Sequence, residues 1–183
     1  MSSPRIIAGK AGGLRLQSVP GDVTRPITDR VKEALFNILS KDIEDSNFLD
    51  LFGGTGSVGI EALSRGAKFT CFIDKNRKAY ETIKANLEHT GLDDKAEVYF
   101  MDAFVYLKKT VDRRFDYVYV APPQYKDLWS KALEVLDSHP EFIATDGWVI
   151  VQIDPIEYKS FELKKLKEFD KRRYGDTLLV FYQ

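Results

Sequence analysis

Cysteine is nearly missing from this chain: Cys71 is the one example in 183 residues. No internal disulfide can form, and a reducing, cytoplasmic setting is expected. Histidine is almost as scarce. His89 and His139 stand far apart, nothing has zinc-ligand spacing, and no metal is expected. No apolar run is long enough to span a bilayer, and Met1-Ser2-Ser3-Pro4-Arg5 lacks the apolar core of a signal peptide. A membrane role is therefore not expected. Excess charge of one sign is missing too. The net charge of −1 does not by itself advertise nucleic acid. Repeats, low-complexity segments and linkers are absent, and no obligate protein partner is evident.

What remains is an ordinary globular balance, 44% hydrophobic and 30% charged, at a length that suits one domain with a sizeable core. A single domain over 1–183 is expected, with a basic extension, 1–45, packed on a core of 46–183. Before Asp42 the cations are Arg5, Lys10, Arg15, Arg25, Arg30, Lys32 and Lys41, against Asp22, Asp29 and Glu33. A basic face can meet phosphates even in a near-neutral protein. A second cationic run, Lys164 to Arg173, reads equally as a solvated strand face or an RNA-facing strip. Cys71, Trp129 and Trp148 read as packing residues, and Asp154-Pro155 as the end of a strand.

The patterning alternates strand and helix. Ile6-Ile7-Ala8 and Leu14-Arg15-Leu16 suggest a hairpin, and Thr28 or Asp29 can cap a helix through Val31, Leu35 and Leu39. Strands are expected at Phe48 to Leu51, Phe69 to Ile73, Ala96 to Phe100, Phe115 to Val120 and Trp148 to Ile153. Helices are expected at Val58 to Arg65, Arg77 to Thr90, Ala103 to Lys108 and Leu128 to Leu136. Phe161 to Phe169 and Thr177 to Tyr182 read as a closing pair of strands. This is α/β architecture, a parallel sheet covered by helices on both faces. An ending in two strands suits a Rossmann-like, seven-stranded class I methyltransferase sheet with a small N-terminal hairpin and helix extension.

Leu49-Asp50-Leu51-Phe52-Gly53-Gly54-Thr55-Gly56-Ser57-Val58-Gly59 forms a strand, a glycine turn and a helix start, a corner that binds cofactors. Gly54, Gly56 and Gly59 fit the dinucleotide pattern G-x-G-x-x-G. Asp50, Phe52, Gly54 and Gly56 fit the S-adenosylmethionine loop instead. Asp50 discriminates, because a carboxylate there repels pyrophosphate and suits an ammonium or sulfonium. Asp74 stands where a ribose-binding acid is expected, and it can also cap a helix. Asp102-Ala103 matches the place where the adenine amine is bound, with helix capping as the plain reading of Asp102. Gly53 completes the turn.

Strand four leads into Ala121-Pro122-Pro123-Gln124-Tyr125. Paired prolines stiffen a loop and expose carbonyls, and the loop resembles the D/N-P-P-Y/F loop of methyltransferases that act on base amines. Such an amine is a poor nucleophile, so acceptors must localise its lone pair and hold it in line. Three long stretches, Arg25 to Leu39, Asp50 to Ala67 and Arg172 to Thr177, are similar to the RsmD family, bacterial 16S rRNA guanine-N2 methyltransferases. The resemblance covers essentially the whole chain. It implies S-adenosylmethionine as donor, a guanine N2 amine of small-subunit 16S rRNA as acceptor, an assembling particle as partner, and Arg25, Arg30 and Lys32 against RNA. One departure stands out. Ala121 replaces the usual Asp or Asn, Gln124 takes the aromatic slot, and Tyr125 follows one place later. Main-chain carbonyls or Gln124 could accept from the amine, and Tyr125 could stack on the base. Other readings are a DNA adenine amino-methyltransferase, a nicotinamide oxidoreductase and a non-catalytic RNA-binding relative.

Overall fold

The computed structural model describes residues 3–22 and 26–183, built around a seven-stranded sheet. Its strands are β1 (Asn47–Asp50), β2 (Phe69–Asp74), β3 (Ala96–Phe100), β4 (Phe115–Val120), β5 (Ile143–Ile153), β6 (Glu168–Tyr174) and β7 (Thr177–Tyr182). The order is β3-β2-β1-β4-β5-β7-β6. The first five are parallel, β7 lies antiparallel between β5 and β6, and β3 and β6 are the two edges. From β1 the chain steps outwards to β3, then returns to β4 on the other side. That reversal opens a crevice at the carboxyl ends of β1 and β4, where open α/β sheets bind ligands.

Among the described residues, five helices cover the sheet: α1 (Asp29–Leu39), α2 (Ser57–Ser64), α3 (Arg77–Thr90), α4 (Ala103–Tyr106) and α5 (Leu128–Ser138). Three of the starts carry a side-chain cap. Thr28 caps α1 through Val31 N–H, Asn76 caps α3 through Lys78 and Ala79 N–H, and Asp102 caps α4. Strand residues alternate between two cores. Phe48, Phe72, Tyr117 and Tyr119 face α1, α2 and α3, while Leu49, Cys71, Val118 and Val120 face α4 and α5. Cys71 is buried in the second layer, and burial pushes its thiol up to about 12. No helix among the described residues is long and apolar enough to cross a membrane.

Three elements differ from expectation. The N-terminal hairpin reduces to one antiparallel bridge, Arg5 to Arg15, with Ile6 N–H on Leu14 O at 2.9 Å and Gly13 N–H on Ile6 O at 2.7 Å. Strand β5 starts at Ile143, five residues early, with an irregular step where it pairs Phe115 and Tyr117 of β4. Phe161 to Phe169 is largely not a strand. The Asp137 carboxylate takes the N–H groups of Lys164, Lys165 and Leu166 at 2.8, 2.7 and 2.8 Å, which bends that segment away from any ladder. The strand forms at Glu168–Tyr174 instead.

Gly59, the last glycine of the corner, serves packing. A Cβ there would lie 2.3 Å from Phe72 Cε1 and 2.9 Å from Thr70 Cγ2, so only a bare Cα lets α2 sit this close to β2. Gly59→Ala should cost about 1–3 kcal/mol by overpacking, read as a lowered urea midpoint with an unchanged slope.

Candidate active site

The turn after β1 is fixed by main-chain bonds. Gly53 N–H donates to Ile73 O at 2.8 Å, and Gly56 N–H to Gly53 O at 2.8 Å. Gly54 and Gly56 sit at φ +59° and +82°, left-handed values that favour glycine. A Cβ on Gly54 would meet nothing within 4 Å, so open space lies above it. Gly56 is the N-cap of α2 and has no side chain to offer. Asp50 caps the helix from the strand instead, its Oδ2 accepting Gly59 N–H at 3.2 Å. Its other oxygen, Oδ1, is buried with no hydrogen-bond partner. Burial raises the Asp50 carboxyl well above the usual range.

Two more carboxylates stand at the neighbouring strand ends. Asp74 Oδ2 accepts Gly54 N–H at 2.9 Å and Oδ1 accepts Asn76 N–H at 2.8 Å. Burial again raises its carboxyl, against the pull of those two bonds. Asp102 Oδ1 takes Phe104 and Val105 N–H at 2.8 and 3.3 Å, and its Oδ2 makes no bond among the described residues. Ala103 is buried just behind it, and Phe52 is half-buried with its ring edge-on to Phe104. This corner offers acceptors to a ligand rich in hydroxyl, amine or ammonium donors and disfavours a pyrophosphate. The nicotinamide reading loses its physical basis.

Across the crevice, Ala121, Pro122 and Pro123 are half-buried, while Gln124 and Tyr125 are exposed. Tyr125 adopts φ +64°, a left-handed value strained for an aromatic residue. Two acids hold it there: its N–H donates to Glu157 Oε1 at 2.8 Å, and its hydroxyl to Asp154 Oδ2 at 2.8 Å. Asp154 and Glu157 also form a capping box around Pro155–Glu157. Asp154 thus does more than end a strand: it helps clamp the loop after β4 onto the loop after β5. Lys159 adds an ion pair to Asp127 at 2.9 Å. Below the loop, the buried Tyr119 hydroxyl donates to Gln152 Oε1.

The extension closes the third side. Arg25 lies outside the described residues, and Arg30 is exposed on α1. Lys32 corrects the expectation of an RNA contact. It is 1% exposed, with Nζ 3.3 Å from Glu61 Oε1 and donating to Ser57 Oγ at 2.9 Å and to Arg5 O. Glu61 is fully buried and also accepts Ile7 N–H, Ala8 N–H and Arg65 Nε at 2.8, 3.1 and 2.9 Å. Such a site retains Lys32 as a structural cation, because Glu61 needs a paired charge. Neither Glu61 nor Asn86 belongs to a motif that announces its role. The Asn86 amide bonds Gln17 N–H and O at 2.8 and 3.1 Å and Thr55 O at 2.9 Å, joining extension to glycine turn. An Asn in the middle of a helix, where its propensity is poor, was the available signal.

Two measurements follow. Glu61→Ala should lose about 3–5 kcal/mol, the usual cost of stripping one partner from a buried pair, read by urea unfolding. In the second, the native protein keeps a proton on Asp50 at pH values where the unfolded chain has released it, near an ordinary carboxyl value of about 4. The native state then binds more protons, so stability falls as pH rises from there through the raised Asp50 value. Asp50→Asn should flatten that slope in a pH series of urea midpoints on ligand-free protein.

The family model described as conserved hypothetical protein 95 matches residues 4–183. A candidate rRNA methyltransferase, YlbH of Bacillus subtilis, is 36% identical over 181 residues, 98% of each chain. Ribosomal RNA small subunit methyltransferase D of Escherichia coli is 34% identical over 145 residues, 79% of this chain and 69% of that one. Among solved structures, a candidate methyltransferase from Escherichia coli, yhhF, superposes with a TM-score of 0.88 at 28% identity, covering 100% of this chain and 98% of that one. This chain belongs to the conserved hypothetical protein 95 family, the RsmD family of methyltransferases.

Proposed function

We propose that this protein transfers a methyl group from S-adenosylmethionine to the N2 amine of a guanine in small-subunit ribosomal RNA, within an assembling particle. The observation that carries the reading is the buried, unpartnered Oδ1 of Asp50, at the end of the strand that leads into the open glycine turn at Gly54. A buried oxygen with no partner calls for one, and an amino-acid ammonium docked there would supply a donor and favour the ionised form of Asp50. Asp50 would hold the ammonium end, Asp74 the ribose hydroxyls and Asp102, through Oδ2, the adenine amine. When bound, S-adenosylmethionine supplies a methyl sulfonium whose C–S electron pair stays on sulfur as the amine nitrogen takes the methyl. The chain's task is positioning. The Ala121 to Tyr125 loop and its clamp hold the base, and the proton released by the amine passes to water.

The relatives named ribosomal RNA small subunit methyltransferase D support RNA of the small subunit as substrate. The guanine N2 specificity follows from the family resemblance. Purified protein, labelled S-adenosylmethionine and immature small-subunit particles should yield N2-methylguanosine in the nucleoside digest. A methyladenine product, or no transfer while S-adenosylhomocysteine still binds, would sink the proposal. Asp74→Ala should weaken S-adenosylhomocysteine binding by about tenfold or more, on the scale of a hydrogen bond to a charged group, measured by calorimetry.

A further inference from the structure

Ala121 leaves the substrate loop without a side-chain acceptor, and the sheet register shows what stands beside it. Val120 of β4 pairs with Val151 of β5 in parallel register. Continued one step beyond that last pair, the register sets Ala121 beside Gln152. Side chains two apart on a strand share a face. Ala121 therefore follows Tyr119 onto the face of the first core, against which it packs. Gln152 lies on that face too, since the Tyr119 hydroxyl reaches its Oε1. Asp50 pairs with Tyr119 from the other side and completes the row. Asp50, Tyr119, Ala121 and Gln152 thus line one face at the mouth of the crevice. Gln152 is half-buried and lies two residues before Asp154, which grips Tyr125.

Resting on the function proposed above, we infer that Gln152 holds the target amine, supplying from β5 the acceptor that position 121 lacks. The carboxamide suits the task. Oε1 has two lone pairs, of which Tyr119 occupies one. The other accepts an N–H of the guanine N2 amine. Nε2 carries two donors, and guanine N3, next to the amine, is an acceptor. The pairing is bidentate and selects guanine, because adenine has N3 but no N2 amine. Gln152 takes a hydrogen bond and no proton. Tyr119 is the positioning residue, since its buried hydroxyl fixes the rotation of the carboxamide.

The test uses the full chain with immature small-subunit particles. Gln152→Ala alone orphans the buried Tyr119 hydroxyl, so the informative variant is Gln152→Ala with Tyr119→Phe, which removes both partners. Its kcat should fall about 100-fold, the scale for one lost transition-state hydrogen bond. Particle binding without methyl donor and S-adenosylhomocysteine affinity should each stay within about threefold. Adding Ala121→Asn to that variant should restore kcat by about tenfold or more, the acceptor having moved one strand across. Wild-type turnover in the double variant overturns the inference. So does a loss of turnover accompanied by an equal loss of S-adenosylhomocysteine binding, or the absence of any rescue by Ala121→Asn. A wild-type protein that transfers no methyl group overturns the function itself, which the same assay reports separately.

Discussion

The Glu61 carboxylate is the point on which this structure turns. It is fully buried and receives two main-chain N–H groups, a guanidinium and an ammonium from three separate stretches of chain. Taking a carboxylate out of water costs several kcal/mol, and only a complete set of donors offsets it. Residues 5–8, α1 and α2 therefore assemble together. Arg65 extends the cluster by lying over the Phe36 ring, 5.1 Å from its centre. The N-terminus of α2 is also the floor of the cofactor corner. Whatever orients α2 orients the corner, and the basic extension thus supports the site as well as facing solvent with Arg30.

In the proposed function, chemistry is spread over the carboxyl ends of all five parallel strands, one acid or loop from each. The carboxylates at the ends of β1 and β2 and just after β3 would face a donor-rich ligand, and the loops after β4 and β5 the acceptor base. The division has a cost in strain. Tyr125 is held at a left-handed φ, and two acids are committed to keeping it there. A site that works by positioning needs that rigidity, since an amine held loosely has its lone pair out of line.

Local signals were legible where local physics decides. The helix Arg77–Thr90 lies where its Asn76 cap and the following Gly91 put it, and β3, β4 and β7 have the boundaries their apolar runs suggest. The charge of Asp50 stands out in the sequence, but its second role, capping a helix whose own cap is glycine, depends on how the strand meets that helix in the fold. Lys32 shows the limit most clearly. A lysine in a basic stretch reads as surface, and nothing near it in sequence announces Glu61, its partner on another helix. Asp137 misled in the opposite way. Its three bonds to residues 164–166 overrode an apolar alternation that would otherwise have paired as a strand.

The edge strand β6 has a consequence for the protein in a crowded cell. An unpaired ladder edge is a template on which a second copy can grow a strand. Five of its seven residues, Glu168, Asp170, Lys171, Arg172 and Arg173, are charged. A neighbour docking there would have to strip water from both signs at once, and a self-pairing in register would bring like charges face to face. The fold thus leaves this edge to solvent behind a row of charges that must be desolvated before another strand can pair there.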